Sequence, residues 1–304
     1  MERSLVLGTS AAAPKALMKI SARMAGTTKG KGDRRMERSE LEFATSEAVR
    51  LAIREKRWRG VTKRLALGYH QANVTIVPKD LAFDFMRFCF NNPKPLPLLD
   101  ICEPGNPSPP RAAPNADLRT DVGGYVILRN GEVVETVSSL ENHWRDDHVA
   151  FLTGCNLSLD RIMLESRIPL PHLISDKAFP AQFRSSISCV PAGPFHGPLV
   201  VSLRPVAEEL VVPLVELTSR FPLSHGGPVH IGDPRKIGVD DLQQVHWGRP
   251  NEILPGQIPM FWACGITVQA VALAAKIPEI IVHAPGNMFV TDLLVRELST
   301  APAV

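Results

Sequence analysis

The segment Pro259 to Asp292, PMFWACGITVQAVALAAKIPEIIVHAPGNMFVTD, constrains this chain more tightly than any other. Met260 to Cys264 is a short apolar run ending at Gly265, and Ile280 to His283 is a second ending at Pro285 and Gly286. Both read as buried strands. Between them Thr267 is placed to cap an alanine-rich stretch, Val268 to Lys276, which lacks Gly and Pro and stops before Pro278. Strand, helix and strand within about thirty residues predicts a βαβ unit, whose crossover makes its two strands parallel. On that reading Cys264-Gly265 and His283-Ala284-Pro285-Gly286 leave the sheet at one edge, where open parallel sheets bind ligands.

A similar pattern occurs earlier. Ala72 to Val77 is an apolar, β-branched strand broken by Pro78, Asp80 is placed to cap an apolar core helix over Leu81 to Phe90, and Leu98 to Cys102 is a strand running into Glu103-Pro104-Gly105. Helices are also expected over Thr45 to Arg57, Leu140 to Leu152, Ser158 to Ser166 and Ala207 to Ser219, and Asn130-Gly131 predicts a type I′ hairpin over Tyr125 to Thr136. The expected fold class is therefore α/β. Residues 41–122 and 225–304 would form a three-layer domain with a mostly parallel sheet, 123–224 a smaller inserted α+β domain, and 1–40 a basic, disordered extension.

The charge distribution narrows the partners. Residues 1 to 35 hold eight Lys or Arg against two acidic residues, so the net +3 of the chain belongs to this tail and the remainder is acidic. No nucleic-acid partner is implied. Five cysteines without a C-x-x-C pair fit a reducing compartment, the cytoplasm, and no apolar run reaches the roughly eighteen residues of a membrane helix. The Ser-, Ala-, Lys- and Arg-rich start also fits a mitochondrial presequence, which would place the protein in the matrix. Alternatively it is an extension, because the MERS at Met1 recurs at Met36.

Parallel strands would gather Lys79, Asp80, Glu103, Cys264 and His283 at one edge, where acid, base, cation and thiol can shift one another's pKa values. Each also has a plain structural reading: Asp80 as a helix cap, Glu103 as a turn residue, Cys264 as a packed thiol. His283 ends a buried strand and must find a partner, which makes it the strongest candidate. Arg119 is suited to clamp a carboxylate, or to pair within its loop together with Asp121. Arg184 beside Ser185 and Ser186 is a second anion site, and His196-Gly197 and His225-Gly226-Gly227 offer backbone donors. The spacing of His225, His230 and Asp233 permits a metal site, but no H-E-x-x-H or comparable signature accompanies it, so no metal is expected. Dinucleotide, Walker A, kinase and G-x-S-x-G motifs are absent from the sequence. These residues describe an α/β enzyme acting without a cofactor on a small acidic substrate. Assembly with further copies of the chain is left open.

In order along the chain stand GYHQANVTIVPKDLAFDF, PLLDICEPGNP, ADLRTD, WRDDHVAFLTGC, PAGPFHGPLVVSLRP, TSRFPLSHGGPVHIGDP, FWACGITVQAVALAAK and HAPGNMFVTD. This succession, from about Ala44 to Asp292, resembles the D-glutamate cyclase-like family, whose bacterial members are labelled hydro-lyases. The resemblance implies a two-domain α/β fold and reversible loss of water from D-glutamate to give 5-oxo-D-proline, or the same reaction class on a related acid. Two motifs depart from the family pattern: Asn287 stands where HAPGHMF has its second His, and Phe183, Ser185, Ser186 and Ser188 replace residues of YRTNIPC. Cyclisation needs a base for the amine, donors for the tetrahedral oxyanion and an acid for the departing hydroxide. His283 and Glu103 are assigned the proton transfers, Lys79 and Arg119 the carboxylates, and Asn287 with the glycine-loop amides the oxyanion. The competing expectations are a non-catalytic carboxylate binder and a dehydratase of hydroxy acids.

Overall fold

A computed structural model of the chain describes residues 35–168, 170 and 180–300. Residues 1–34 of the expected basic extension lie outside that set. Its last residues enter a helical turn, α1 (Arg38–Leu41). The next helix, α2 (Ser46–Arg54), starts as the sequence predicts: Thr45 Oγ1 accepts the Ala48 N–H and satisfies one of the free amides of the first turn.

Two sheets, antiparallel throughout, organise the described residues. The first is built on the ten-residue strand β1 (Tyr69–Pro78), with β2 (Leu98–Ile101), β3 (Tyr125–Arg129), β4 (Glu132–Val137), β5 (His148–Gly154), β10 (Ile280–His283) and β11 (Phe289–Leu294). The second has the order β6 (Ala181–Ser188), β7 (Pro198–Ala207), β9 (Gln257–Ala263) and β8 (His230–Ile231). Helices α3 (Lys79–Asn91), α4 (Asp160–Glu165), α5 (Val211–Ser219) and α6 (Thr267–Ala274) connect them. Between the sheets lies the largest apolar core, where Phe151 and Val282 meet Val201 and Phe261, with Phe85 and Phe88 from α3 and Val268 and Val271 from α6.

The expected mostly parallel three-layer sheet is overturned by these pairings. The strand–helix–strand unit of the sequence exists, but α6 carries the chain from β9 in the second sheet to β10 in the first, so its two strands never share a sheet. In the other unit, β1 and β2 run the same way only because β5 lies between them and is antiparallel to both. Spacing predicts a crossover; it does not say which sheet receives the returning strand. The sheets also cross the expected domain division, since β3 and β5 pair with strands from residues 41–122 and 225–304, and β7 pairs with β9.

Residues 140–152, expected to be helical, instead form turns and then β5, which is buried throughout. A fully buried strand carries no alternation, so its apolar run imitates a core helix. Conversely α3, expected to be enclosed, leaves Phe83 65% and Phe90 83% exposed. The hairpin of β3 and β4 forms as predicted, with Asn130 and Gly131 at φ 50° and 80°.

On the far edge of β1 from β5, two strands share the line. β10 pairs Val282 with Thr75, and β11 pairs Phe289 with Ala72. Uninterrupted register would have placed Pro285 opposite Ala72, so four extra residues leave the edge here as a loop over Ala284–Met288. Thr62 holds this excursion: its N–H donates to Gly286 O at 2.8 Å, and its Oγ1 accepts the Met288 N–H at 3.1 Å.

Close approach on the opposite edge of β1 gives a test. A Cβ added to Gly154, at the end of β5, would stand 1.7 Å from Leu223 O and 2.9 Å from the His70 ring. Because backbone must move to admit it, Gly154→Ala is expected to cost about 2–3 kcal/mol. Urea unfolding measures the change, and an unaltered midpoint would contradict the packing described.

Candidate functional site

The edge excursion opens a cavity of about 420 Å³ between the two sheets. Sheet one contributes Asn73 from β1, His283 as the last residue of β10, and Cys155 just beyond β5. Sheet two contributes Gln182 from β6, Ser202 from β7 and Cys264 just beyond β9. Val61 and Lys63 close one side before β1 begins, and Trp247-Gly248-Arg249 close another. That last turn is held by main-chain bonds between Gln182 and Trp247.

Among the described residues the lining carries positive charge and no carboxylate. Lys63 and Arg249 are its cations, and neither Asp nor Glu is among the residues that form it. Behind the wall, Arg204 is fully buried against the Trp262 ring at 4.7 Å, and its guanidinium nitrogens have no hydrogen-bond partner among the described residues. Burial pulls its pKa down to about 10 while the buried Asp160 carboxylate nearby pulls the other way, so it remains a cation at neutral pH. Ser202 Oγ, Asn156 Nδ2 and Trp247 Nε1, all on lining residues, are likewise buried without protein partners among the described residues. Unsatisfied polar atoms are rare in native interiors. Several around one cavity mark a site for a polar ligand.

His283 is neutral there. Burial holds its imidazole at about 4, and the Val74 N–H donates to Nδ1 at 3.2 Å. Nδ1 also lies 3.5 Å from Val74 O, at the limit of a hydrogen bond; the shorter contact from the Val74 N–H favours Nδ1 as acceptor, which puts the ring proton on Nε2. The thiols of Cys155 and Cys264 are protonated, since burial pushes Cys155 up to about 12 and raises Cys264. Asn73 lies flat over Gly265, where a Cβ would come within 2.3 Å of Nδ2, so that position needs glycine for contact rather than conformation.

Of the residues singled out in the sequence, His283 and Cys264 line this cavity. Asn287 sits in the excursion between the lining residues Gly286 and Met288, its Nδ2 bonded to Pro285 O. Arg184 stands beside the wall, its guanidinium over the Trp247 ring at 5.4 Å. The others are placed elsewhere. Lys79 and Asp80 are exposed at the start of α3, and Glu103 is exposed past β2. Because β10 runs against β1, His283 falls opposite Val74, five residues and about 17 Å along the strand from Lys79. Antiparallel pairing therefore separates the proposed proton-transfer pair His283 and Glu103, which parallel strands would have joined. Arg119 is paired with Asp117, and Asp121 is buried in a two-pronged bond with Arg54 at 2.7 Å. His196 is exposed, and His225 is buried with Nδ1 on Lys94 O. His230 bonds Asp233 O, and among the described residues no group of three or more His, Cys, Asp or Glu could hold a metal ion. No helix among them is long and apolar enough to cross a membrane.

Lys63, Asn73, Asn156, Gln182, Ser202, Trp247 and Arg249 were not singled out by the sequence reading. Two carried a usable signal: Asn73 within ANVTIV and Ser202 within LVVSL are polar residues inside short, mostly apolar, β-branched runs. A polar side chain there requires a partner, and a ligand can be that partner.

The family model described as D-glutamate cyclase matches residues 149–292. A relative from Stutzerimonas stutzeri, carrying the name "Putative hydro-lyase", is 48% identical over 251 residues, covering 83% of this chain and 94% of its own. Hydro-lyase YcsI of Bacillus subtilis, whose name bears the same qualifier, is 47% identical over 245 residues, covering 81% and 95%. A nitrogen repressor-like protein from Methanococcus jannaschii, solved by crystallography, aligns at a TM-score of 0.34 with 14% identity, covering 78% of this chain and 91% of that one, too slight a likeness to argue from.

Three buried histidines make the fold sensitive to acid. His70, His225 and His283 are each held at about 4 by burial, against an ordinary 6.5. Between those values the unfolded chain takes up protons that the folded chain refuses, so stability falls as pH drops through the window. Three such groups approach a slope of about 4 kcal/mol per pH unit, with little contribution above about pH 7. Unfolding free energies across the window test this, and a flat profile would contradict it.

Proposed function

Since the chain belongs to the D-glutamate cyclase family of hydro-lyases, we propose that it interconverts D-glutamate and 5-oxo-D-proline with loss or gain of water, in the cavity between its two sheets. The observation that carries this reading is the lining itself: among the described residues it has Lys63 and Arg249, no carboxylate, and several buried donors without protein partners, around about 420 Å³. A small carboxylate satisfies that inventory, whereas a cationic ligand would find no counter-charge among the described lining residues.

In the forward direction the amine nitrogen forms a bond to the side-chain carboxyl carbon, and a carbon–oxygen bond of that carboxyl breaks. The amine gives up a proton and the departing hydroxide takes one, so water is the only other product. Arg249 supplies the positive charge that holds the α-carboxylate, and Lys63 adds to the potential from the other side of the lining. The Nε2–H of neutral His283 donates to the carboxyl oxygen that becomes the oxyanion, stabilising charge as it develops. This assignment makes His283 an electrophile rather than a base, because a ring held at about 4 with Nδ1 already engaged has little basicity to offer. Enclosure keeps the flexible substrate folded so that its ends meet, which replaces an entropic barrier with binding.

Incubation with both enantiomers of glutamate and of 5-oxoproline, followed by proton NMR, tests the reading. Interconversion of the D pair is expected. His283→Ala should lower kcat by about 10²–10³-fold, and Arg249→Ala should raise KM by about tenfold with a smaller effect on kcat. No conversion of any of the four compounds would overturn the substrate assignment, and full turnover by His283→Ala would overturn the role given to that ring.

A further inference from the structure

The cavity is chemically one-sided. Ser202, Asn156, Trp247 and His283 can all donate to a ligand and Lys63 and Arg249 add charge, an arrangement made for oxygen acceptors. An amino acid or a lactam also bears an N–H, which needs an acceptor held in one direction; the Ser202 hydroxyl can accept as readily as donate, so it does not fix that choice. Three side-chain amides line the cavity, those of Asn73, Asn156 and Gln182. Of these three, only Asn73 has its amide oriented by main-chain groups of the described residues: Nδ2 donates to Gly154 O at 2.7 Å and to Thr153 O at 3.3 Å. Turning this amide over would set its oxygen against two carbonyl oxygens, so the orientation is fixed. Asn73 therefore presents Oδ1, an acceptor with no donor of its own among the described residues. The adjacent Val74 N–H is the group that fixes His283, so acceptor and Nε2 donor are built on neighbouring residues of one rigid strand.

We propose that Asn73 is a specificity-determining residue that reads the nitrogen of the ligand. Its Oδ1 accepts the N–H of the amine or of the lactam, so the site selects amino acids and their lactams over nitrogen-free dicarboxylates and lactones. The assignment rests on the function proposed above and adds the element of recognition that the cations do not supply.

Calorimetric titration of the wild-type protein with 5-oxo-D-proline and with the lactone of the same shape and hand, 5-oxotetrahydrofuran-2-carboxylate, tests it. The lactone replaces the ring N–H by oxygen and keeps the carboxylate and carbonyl. The lactam is expected to bind at least about tenfold more tightly. Asn73→Ala should bring the ratio to within about twofold of unity while leaving lactone affinity nearly unchanged. Equal wild-type affinities would overturn the assignment and leave the proposed function standing. An Asn73→Ala protein that weakens both ligands alike and keeps the ratio would also overturn it, by showing a purely structural role. If that variant does not fold, the wild-type ratio decides alone. Failure of the wild type to bind either ligand would overturn this assignment and the proposed function together.

Discussion

The structure depends on how one long strand shares its edge. β1 is satisfied on one side by β5 over most of its length, while on the other β10 and β11 divide the edge and leave four residues over. Those extra residues cannot join the ladder, so the chain leaves it, and the departure takes place beside Asn73 and His283. Thr62 stabilises the excursion by bonding Gly286 and Met288, and Gln71 from β1 donates to Thr62 O, so the loop, its tether and the strand form one hydrogen-bonded unit. Such an interruption re-aims side chains without weakening the sheet on either side of it.

Electrostatics follow from that geometry. Burial keeps His283 uncharged and both cavity thiols protonated, while Lys63, Arg249 and the enclosed Arg204 bring positive charge to a lining that holds no acidic side chain among the described residues. A guanidinium buried without hydrogen-bond partners is costly to the fold. The buried carboxylate of Asp160 lies close enough to offset part of that cost, so Arg204 and Asp160 together set the potential behind Ser202 on β7.

Much of the local structure was legible in the sequence. Proline and glycine punctuation located β1, α3, β2, α6 and β10, and Asn130-Gly131 located the hairpin, because these depend on dihedral preferences of a few adjacent residues. Sheet membership was not legible. Apolar strands such as Met260–Ala263 and Ile280–His283 suit parallel or antiparallel neighbours equally when buried on both faces, and only distant pairing decides. The candidate site inherited that uncertainty. His283 and Cys264 were found because they end strands, whereas Glu103, Lys79 and Asp80 were joined to them by a direction of pairing that the fold does not use. Lys63 and Arg249 lie in irregular segments where a basic residue looks like ordinary surface until the strands around it are assembled.

The central claim is that a small carboxylate occupies the cavity opened at the interrupted edge, with neutral His283 as a donor. A crystal structure with 5-oxo-D-proline tests this most directly. The account predicts the ligand between the sheets, its carboxylate toward Arg249 and its carbonyl oxygen about 3 Å from His283 Nε2. A ligand held instead near Glu103 and Lys79, at the opposite end of β1, would contradict it.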